Sequence, residues 1–193
     1  MNAYLRQLGT SFRFLAVATV LLGVLYPLAV VGAGQAVAPA QANGSIARLG
    51  GQPAASALLA QAVPEKESRL FFPRPSAVKW DPAASGASNL GPSDPALAKA
   101  AAQARAAVAA REGVPASAVP LDAVTASASG LDPDISPAYA QLQLPRVVRA
   151  TGLSTAAVQQ LIAEATTTPA LGLLGQPAVN TTTLNLALAA RLT

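Results

Sequence analysis

The stretch from Phe14 to Gly34, FLAVATVLLGVLYPLAVVGAG, contains twenty-one residues without a charge. As a helix rising about 1.5 Å per residue it would be roughly 31 Å long, the thickness of a bilayer's hydrocarbon core. The rest of the chain therefore reads as a short basic prelude and a domain carried behind a span. Pro27 lies inside the run. Its missing N–H and its ring predict a kink about one turn earlier, near Gly23. Gly23 and Pro27 are four residues apart, so they share a face that another membrane helix can approach closely.

Charge sets the expected orientation. Arg6 and Arg13 precede the run with no acidic neighbour, and the first charge after it is Arg48. The positive-inside rule places the N-terminus in the cytoplasm and the chain from residue 35 onward outside. The competing reading is a cleaved signal peptide, for which Ala38-Pro39-Ala40 supplies an A-x-A tripeptide. The uncharged core is longer than the apolar region of most such peptides. The expected organisation is a cytoplasmic segment 1–13, a transmembrane helix 14–34, a tether or domain start 35–64, and an extracytoplasmic α/β domain 65–193.

Some 160 residues beyond the span suffice for one domain with its own core. The chain has no cysteine and no histidine. Disulfide frameworks, His/Cys zinc sites, Ser-His-Asp triads and cysteine nucleophiles are thereby removed. Beyond residue 34, eleven basic residues face nine acidic ones, dispersed and with one tryptophan, a pattern that does not suit nucleic acid.

Along the domain, Leu70-Phe71-Phe72-Pro73 reads as an extended segment whose rings anchor a loop to the core. Trp80 to Pro95 is turn chemistry throughout, read either as an interface or ion-facing loop or as a rigid structural turn. Its Gly-x-x-x-x-Gly spacing lacks the Lys-Ser/Thr of a phosphate-binding loop. Asp94 as N-cap, Pro95 at the first position and Gly113 beyond the end define a helix over 95–112. Leu97, Ala101, Ala104 and Val108 form its expected buried stripe; Lys99, Gln103, Arg105 and Arg111 are expected in or near solvent. The run Ala123–Ser127 tolerates β structure. Asp132 and Asp134 invite a metal or acid/base reading, but no calcium-loop pattern accompanies them and helix-entry turn chemistry fits better. Ser136 caps a helix from Pro137 with Pro145 inside it, where a kink or restart is expected. Ser154 opens another helix with Val158, Leu161 and Ile162 inward. For the tail, Leu184, Leu186 and Leu188 fit a strand, while Leu184, Ala187 and Leu188 fit a helix.

Four stretches in this order resemble the C subunit of the Kdp-type bacterial potassium-transporting ATPase. They are Arg74–Ala77 (RPSA), Ser85–Pro92 (SGASNLGP), Val124–Pro137 (VTASASGLDPDISP), and Leu171–Pro177 (LGLLGQP) leading into Val179-Asn180 and Leu184-Asn185. With the single N-terminal span, the resemblance covers nearly the whole chain. Three positions depart from the family pattern: Ala87 and Ala128 stand where glycine is usual, and Phe72-Pro73 replaces an aromatic-glycine pair before Arg74. These changes leave the fold expectation intact and bear on the geometry of the first loop.

The resemblance implies one transmembrane helix plus one mixed α/β (α+β) extracytoplasmic domain in the bacterial plasma (inner) membrane. It implies an accessory subunit, not an enzyme by itself, beside a channel-like potassium-binding subunit, a P-type ATPase catalytic subunit and a small hydrophobic subunit. ATP and potassium would act at the level of that complex, with no cofactor held by this chain. Candidate interface residues are Gly23, Pro27, Arg74, Ser85, Gly86, Ser88, Asn89, Gly91, Asp132, Asp134 and Ser136. The family is customarily described as a catalytic chaperone that raises the ATP affinity of the hydrolysing subunit. For that alternative, the only polar pair to nominate is Gln141 and Gln143. A stand-alone exported binding protein is the further alternative.

Overall fold

A computed structural model describes residues 2–169 and 174–192, in two compact units, residues 1–45 and 46–193. In the first unit, helix α1 (Asn2–Ala18) passes into a π-helical segment, Thr19–Leu25, and then helix α2 (Tyr26–Val37). Together they make one helix, Ala3–Val37, long and apolar enough to cross a membrane. Its large apolar side chains are exposed throughout, Leu22 at 69% for instance, so none is consumed by packing within the unit. The wide turn falls where the sequence places a disturbance. Pro27 cannot donate to the carbonyl of Gly23, and its ring crowds that carbonyl. The ladder just ahead of it has shifted to five-residue spacing, with the Tyr26 N–H donating to the Leu21 carbonyl. A short helix α3 (Pro39–Ala42) follows, tied back by paired amides of Gln35 and Asn43 at 2.9 and 3.2 Å.

The second unit begins with a hairpin of β1 (Ile46–Leu49) and β2 (Gln52–Ser56). Gly50 and Gly51 supply the two positive φ angles that a two-residue hairpin loop of matching twist requires. Residues 35–64, expected as tether or domain start, comprise the end of the long helix, α3, this hairpin and an irregular segment 57–64 that buries Ala60 and Val63. Helix α4 (Pro95–Glu112) has its expected caps: the Asp94 carboxylate accepts from the Ala96 N–H, and Gly113 is left-handed. Its expected stripe is only half buried. Val108 is in the core, but Leu97 is 37% exposed, because the first turns of α4 project away from the body of the unit.

Strand β3 (Asp134–Ile135) leads into α5 (Pro137–Thr151), then α6 (Thr155–Glu164), β4 (Thr166–Thr167), β5 (Ala178–Asn180) and α7 (Thr181–Leu192). The three strands form an antiparallel sheet in the order β3-β5-β4, with Ile135 opposite Val179 and Thr166 opposite Val179 on the other side. Helices α5, α6 and α7 and this small sheet enclose the core around Tyr139, Val147, Val158, Val179, Leu184 and Leu188, each at most 1% exposed. Each such side chain contributes about 1.5–3 kcal/mol by leaving water.

One expectation needs correction, and the structure decides two that the sequence left open. Ala123–Ser127 forms no strand; turns occupy it, and the Thr125 hydroxyl donates back to the Leu121 carbonyl. Helix α5 runs through Pro145 without a restart. The carbonyl that Pro145 leaves unpaired belongs to Gln141, and both residues are exposed, where water can reach it. The tail from Thr181 is a helix, with Leu184 and Leu188 buried one turn apart. Of the stretch 171–177, Leu171, Gly172 and Leu173 lie outside the described residues.

Candidate functional site: interlocked loops on a buried ionic cluster

The segment Phe71-Phe72 is buried yet belongs to no strand, so its backbone needs partners from side chains. Two amides provide them. The Phe72 N–H donates to Gln143 Oε1 at 2.7 Å, and Gln143 Nε2 donates to the Phe72 carbonyl at 3.0 Å. Asn185 of α7 does the same for Phe71, at 2.7 and 2.9 Å. The Phe71 ring is fully buried and the Phe72 ring nearly so, as the sequence predicts for an anchoring segment.

Behind Phe72 lies a cluster that sequence reasoning missed. Glu112, at the end of α4, has no exposed side-chain surface and accepts from Arg146 Nε at 3.0 Å and from Arg111 Nε at 2.7 Å. Arg146 also donates to the Ser68 and Leu70 carbonyls and to Gln143 Oε1. The two guanidiniums flank the Phe72 ring at 3.9 and 5.1 Å from its centre. Burial pulls Arg146 below the usual arginine range, against the pull of the Glu112 charge, and pushes the Tyr139 hydroxyl up. Arg111, expected in or near solvent, keeps 23% of its side chain exposed while its Nη2 donates to the Tyr139 hydroxyl at 2.8 Å. The one available signal was that Tyr139, Gln143 and Arg146 fall on the same helical stripe as Ala140, Leu144 and Val147. Nearby, Arg69 grips Glu67 bidentately and holds its carboxyl down to about 2.

In front of Phe72, three of the four family-like stretches interlock. Arg74 donates to the Thr125 and Ala126 carbonyls and pairs with Asp132 Oδ2 at 3.1 Å. The Ser127 N–H donates to the Pro75 carbonyl, and the Ser76 hydroxyl donates to the Gly130 carbonyl at 2.7 Å. Both the Ser85 hydroxyl and the Gly86 N–H donate to the Ser129 carbonyl. Gly130 is held at φ +72°, with a hypothetical Cβ 2.5 Å from Val78 Cγ2 and 2.8 Å from the Gly86 carbonyl oxygen. Only glycine fits there. Ser127 Oγ accepts from the N–H groups of Gly130 and Asp132, closing the turn.

The nominated residues separate accordingly. Arg74, Ser85, Gly86 and Asp132 belong to the interlock. Ser88, Asn89 and Gly91 sit beyond it on exposed loop, Asn89 in the left-handed region at φ 53°. Ser136 caps α5 through the Tyr139 N–H and is itself fixed by both oxygens of Asp122, a residue the sequence did not single out. Burial and the charge of Asp132 push the Asp134 carboxyl up, against a hydrogen bond from Asn180. Gly23 and Pro27 lie in the other unit. Gln141 and Gln143 are not a pair: Gln141 is exposed, and Gln143 is fully buried and committed to Phe72 and Arg146. The nomination of Gln143 for a nucleotide fails on that burial. Among the described residues no group of three or more His, Cys, Asp or Glu side chains stands ready to hold a metal. Chemically, the arrangement fixes a surface in place.

A sequence model of KdpC, described as the K+-transporting ATPase c chain, matches residues 8–190. The chain belongs to this family. The potassium-transporting ATPase KdpC subunit of Kineococcus radiotolerans is 50% identical over 186 residues, covering 95% of this chain and 93% of that protein. The KdpC subunit of Variovorax paradoxus is 49% identical over 191 residues, 97% and 96% of the two chains. That of Ralstonia nicotianae is 50% identical over 169 residues, 86% and 82%. The KdpC match takes in both units, the apolar helix as well as the domain with its interlocked loops.

Proposed function

We propose that this chain is a non-catalytic accessory subunit of a high-affinity, ATP-driven potassium uptake complex, anchored by Ala3–Val37 and bracing the potassium-conducting subunit with its folded domain. The observation that carries the reading is the continuous match through both units, residues 8–190, to a family described as the c chain of a K+-transporting ATPase. Its partners are then the channel-like potassium-binding subunit, the P-type ATPase subunit and the small hydrophobic subunit. Potassium and ATP act in those partners. The basic residues Arg6 and Arg13 ahead of the span, and the lack of any acidic residue before Glu65, favour a cytoplasmic N-terminus in the bacterial inner membrane and an extracytoplasmic domain.

The helix supports a role for Gly23 and Pro27 at a partner helix. A methyl group added at Gly23 would meet only Thr19 Cγ2, at an ordinary 3.8 Å, so nothing within the chain itself demands glycine there. A neighbouring membrane helix at close approach would. The interlock supports the bracing role, because a surface fixed by side-chain bonds to backbone loses little entropy on docking.

Deletion of residues 46–193 from the otherwise complete complex tests the reading. Loss of the complex on purification, or weaker potassium affinity in the assembled remainder, is the expected result. Unchanged assembly and unchanged affinity would refute the bracing role.

A further inference from the structure

Beside the interlock, between α4 and the segment 72–80, lies a cleft of about 300 Å³. That is at the lower end of the range for small-molecule sites, room for one or two side chains. Its walls are apolar: Phe72, Trp80, Ala104, Ala107 and Val108. Its one cation is Arg111. Two of the guanidinium's three nitrogens are spoken for, Nε by Glu112 and Nη2 by Tyr139. Nη1 has no acceptor among the described residues, and the side chain is 23% exposed. The ionic cluster behind it is short of negative charge, since Glu112 is the one carboxylate shared by Arg111 and Arg146. Glu65 also lines the cleft but forms no ion pair with Arg111, which makes it the chain's own competitor for the position.

The backbone forming one wall is strained. Lys79 and Trp80 are consecutive non-glycine residues in the left-handed region, at φ 55° and 58°. Non-glycine residues are costly to hold there, and such strain concentrates at binding sites. Here it is held by the Ser76 hydroxyl, which accepts the Trp80 N–H at 3.0 Å, and by the indole Nε1, which donates to the Arg74 carbonyl at 3.1 Å. The result fixes the indole over the cleft.

We propose that this cleft is a docking pocket for a carboxylate-bearing segment of a partner subunit. An Asp, Glu or C-terminal carboxylate would take the free Nη1 of Arg111 and complete the charge of the cluster, while its apolar stem would lie against Trp80 and Ala107. This rests on the accessory-subunit reading and names where the domain grips its partner.

The test uses the full-length chain in its complex. Ala107 is an exposed helix position lining the cleft, and Ala102 is exposed on α4 away from it. Ala107→Glu puts a carboxylate into the cleft in cis; Ala102→Glu makes the same charge and propensity change elsewhere. With matched thermal stability of the two variants, Ala107→Glu is expected to lower retention of the chain on its tagged partners about tenfold or more, and Ala102→Glu to leave it unchanged. In parallel, a benzophenone amino acid at Ala107 is expected to crosslink to a partner peptide carrying an acidic side chain or terminus. Equal retention of both variants, or crosslinks only to lipid, to a second copy of this chain or to nothing, would overturn the pocket. If deletion of 46–193 destroys the complex while Ala107→Glu does not, the pocket alone has failed; if neither matters, the bracing role has failed with it.

Discussion

Replacing Glu112 by Ala is expected to destabilise the second unit by about 3–5 kcal/mol, the range for removing one partner of a buried ion pair. The Arg146 guanidinium, 7% exposed, would be left in the core beside a second cation, Arg111. For a domain of this size each kcal/mol moves the melting temperature by roughly 2–4 °C. Thermal unfolding of the purified full-length chain should therefore show a drop of roughly 6–20 °C. The double variant Glu112→Met with Arg146→Met is expected to lose less than Glu112→Ala, since the buried Arg146 charge leaves with its partner and Arg111, 23% exposed, can turn to water. If Glu112→Ala melts with the parent, the cluster does not hold the domain together.

Gly130→Ala is the second large expected loss, about 2–4 kcal/mol, from a left-handed φ of +72° and an overlap that relaxation cannot fully remove. Its new methyl would meet a side chain, Val78, and a backbone oxygen, that of Gly86. Adding Val78→Ala should recover only part of the loss, because the backbone contact remains. The same unfolding measurement reads this. Full recovery by Val78→Ala would show that Gly86 is free to move and that the three stretches are not locked together. Loss of stability should be accompanied by loss of the chain from its complex, because the loops that Gly130 joins are those nearest the proposed pocket.

Local signals in the sequence served well where one turn of helix decides the structure. Asp94, Ser136 and Ser154 each accept a backbone N–H at the head of a helix, and Gly113 and Gly152 end two of them in the left-handed region. The apolar run at 14–34 and the proline within it foretold both the long helix and the site of its wide turn. Period alone could not decide Leu184–Leu188, since both templates matched; burial of Thr181, Thr182, Leu184 and Leu188 decides for the helix. The β-tolerant run 123–127 failed because its neighbours offer it no strand to pair with, only Pro75 and the side chain of Arg74.

The ionic cluster was illegible for a different reason. Glu112 and Arg146 are 34 residues apart, and Gln143 meets Phe72 across 71. Charged and amide side chains on a helix ordinarily face water, and nothing local marks those that turn inward. Their burial follows from the packing of α4 and α5 onto one ring, Phe72, whose own polar backbone must be satisfied. Of the candidate interface, the sequence resemblance located the stretches 74–77, 85–92 and 124–137, and the structure adds how they hold one another. The cleft between α4 and Trp80 had no sequence signature, because its lining is assembled from segments far apart in the chain, from Glu65 and Phe72 to Ala123 and Tyr139.

The proposed placement of the domain outside the membrane underlies both the bracing role and the proposed pocket, and it is open to direct measurement. The chain has no cysteine, so Ser88→Cys on the exposed loop gives a unique probe. In intact cells, a membrane-impermeant maleimide is expected to label it without disrupting the inner membrane. Labelling only after that membrane is opened would put the domain beside the nucleotide, contradict the bracing role, and restore direct contact with ATP.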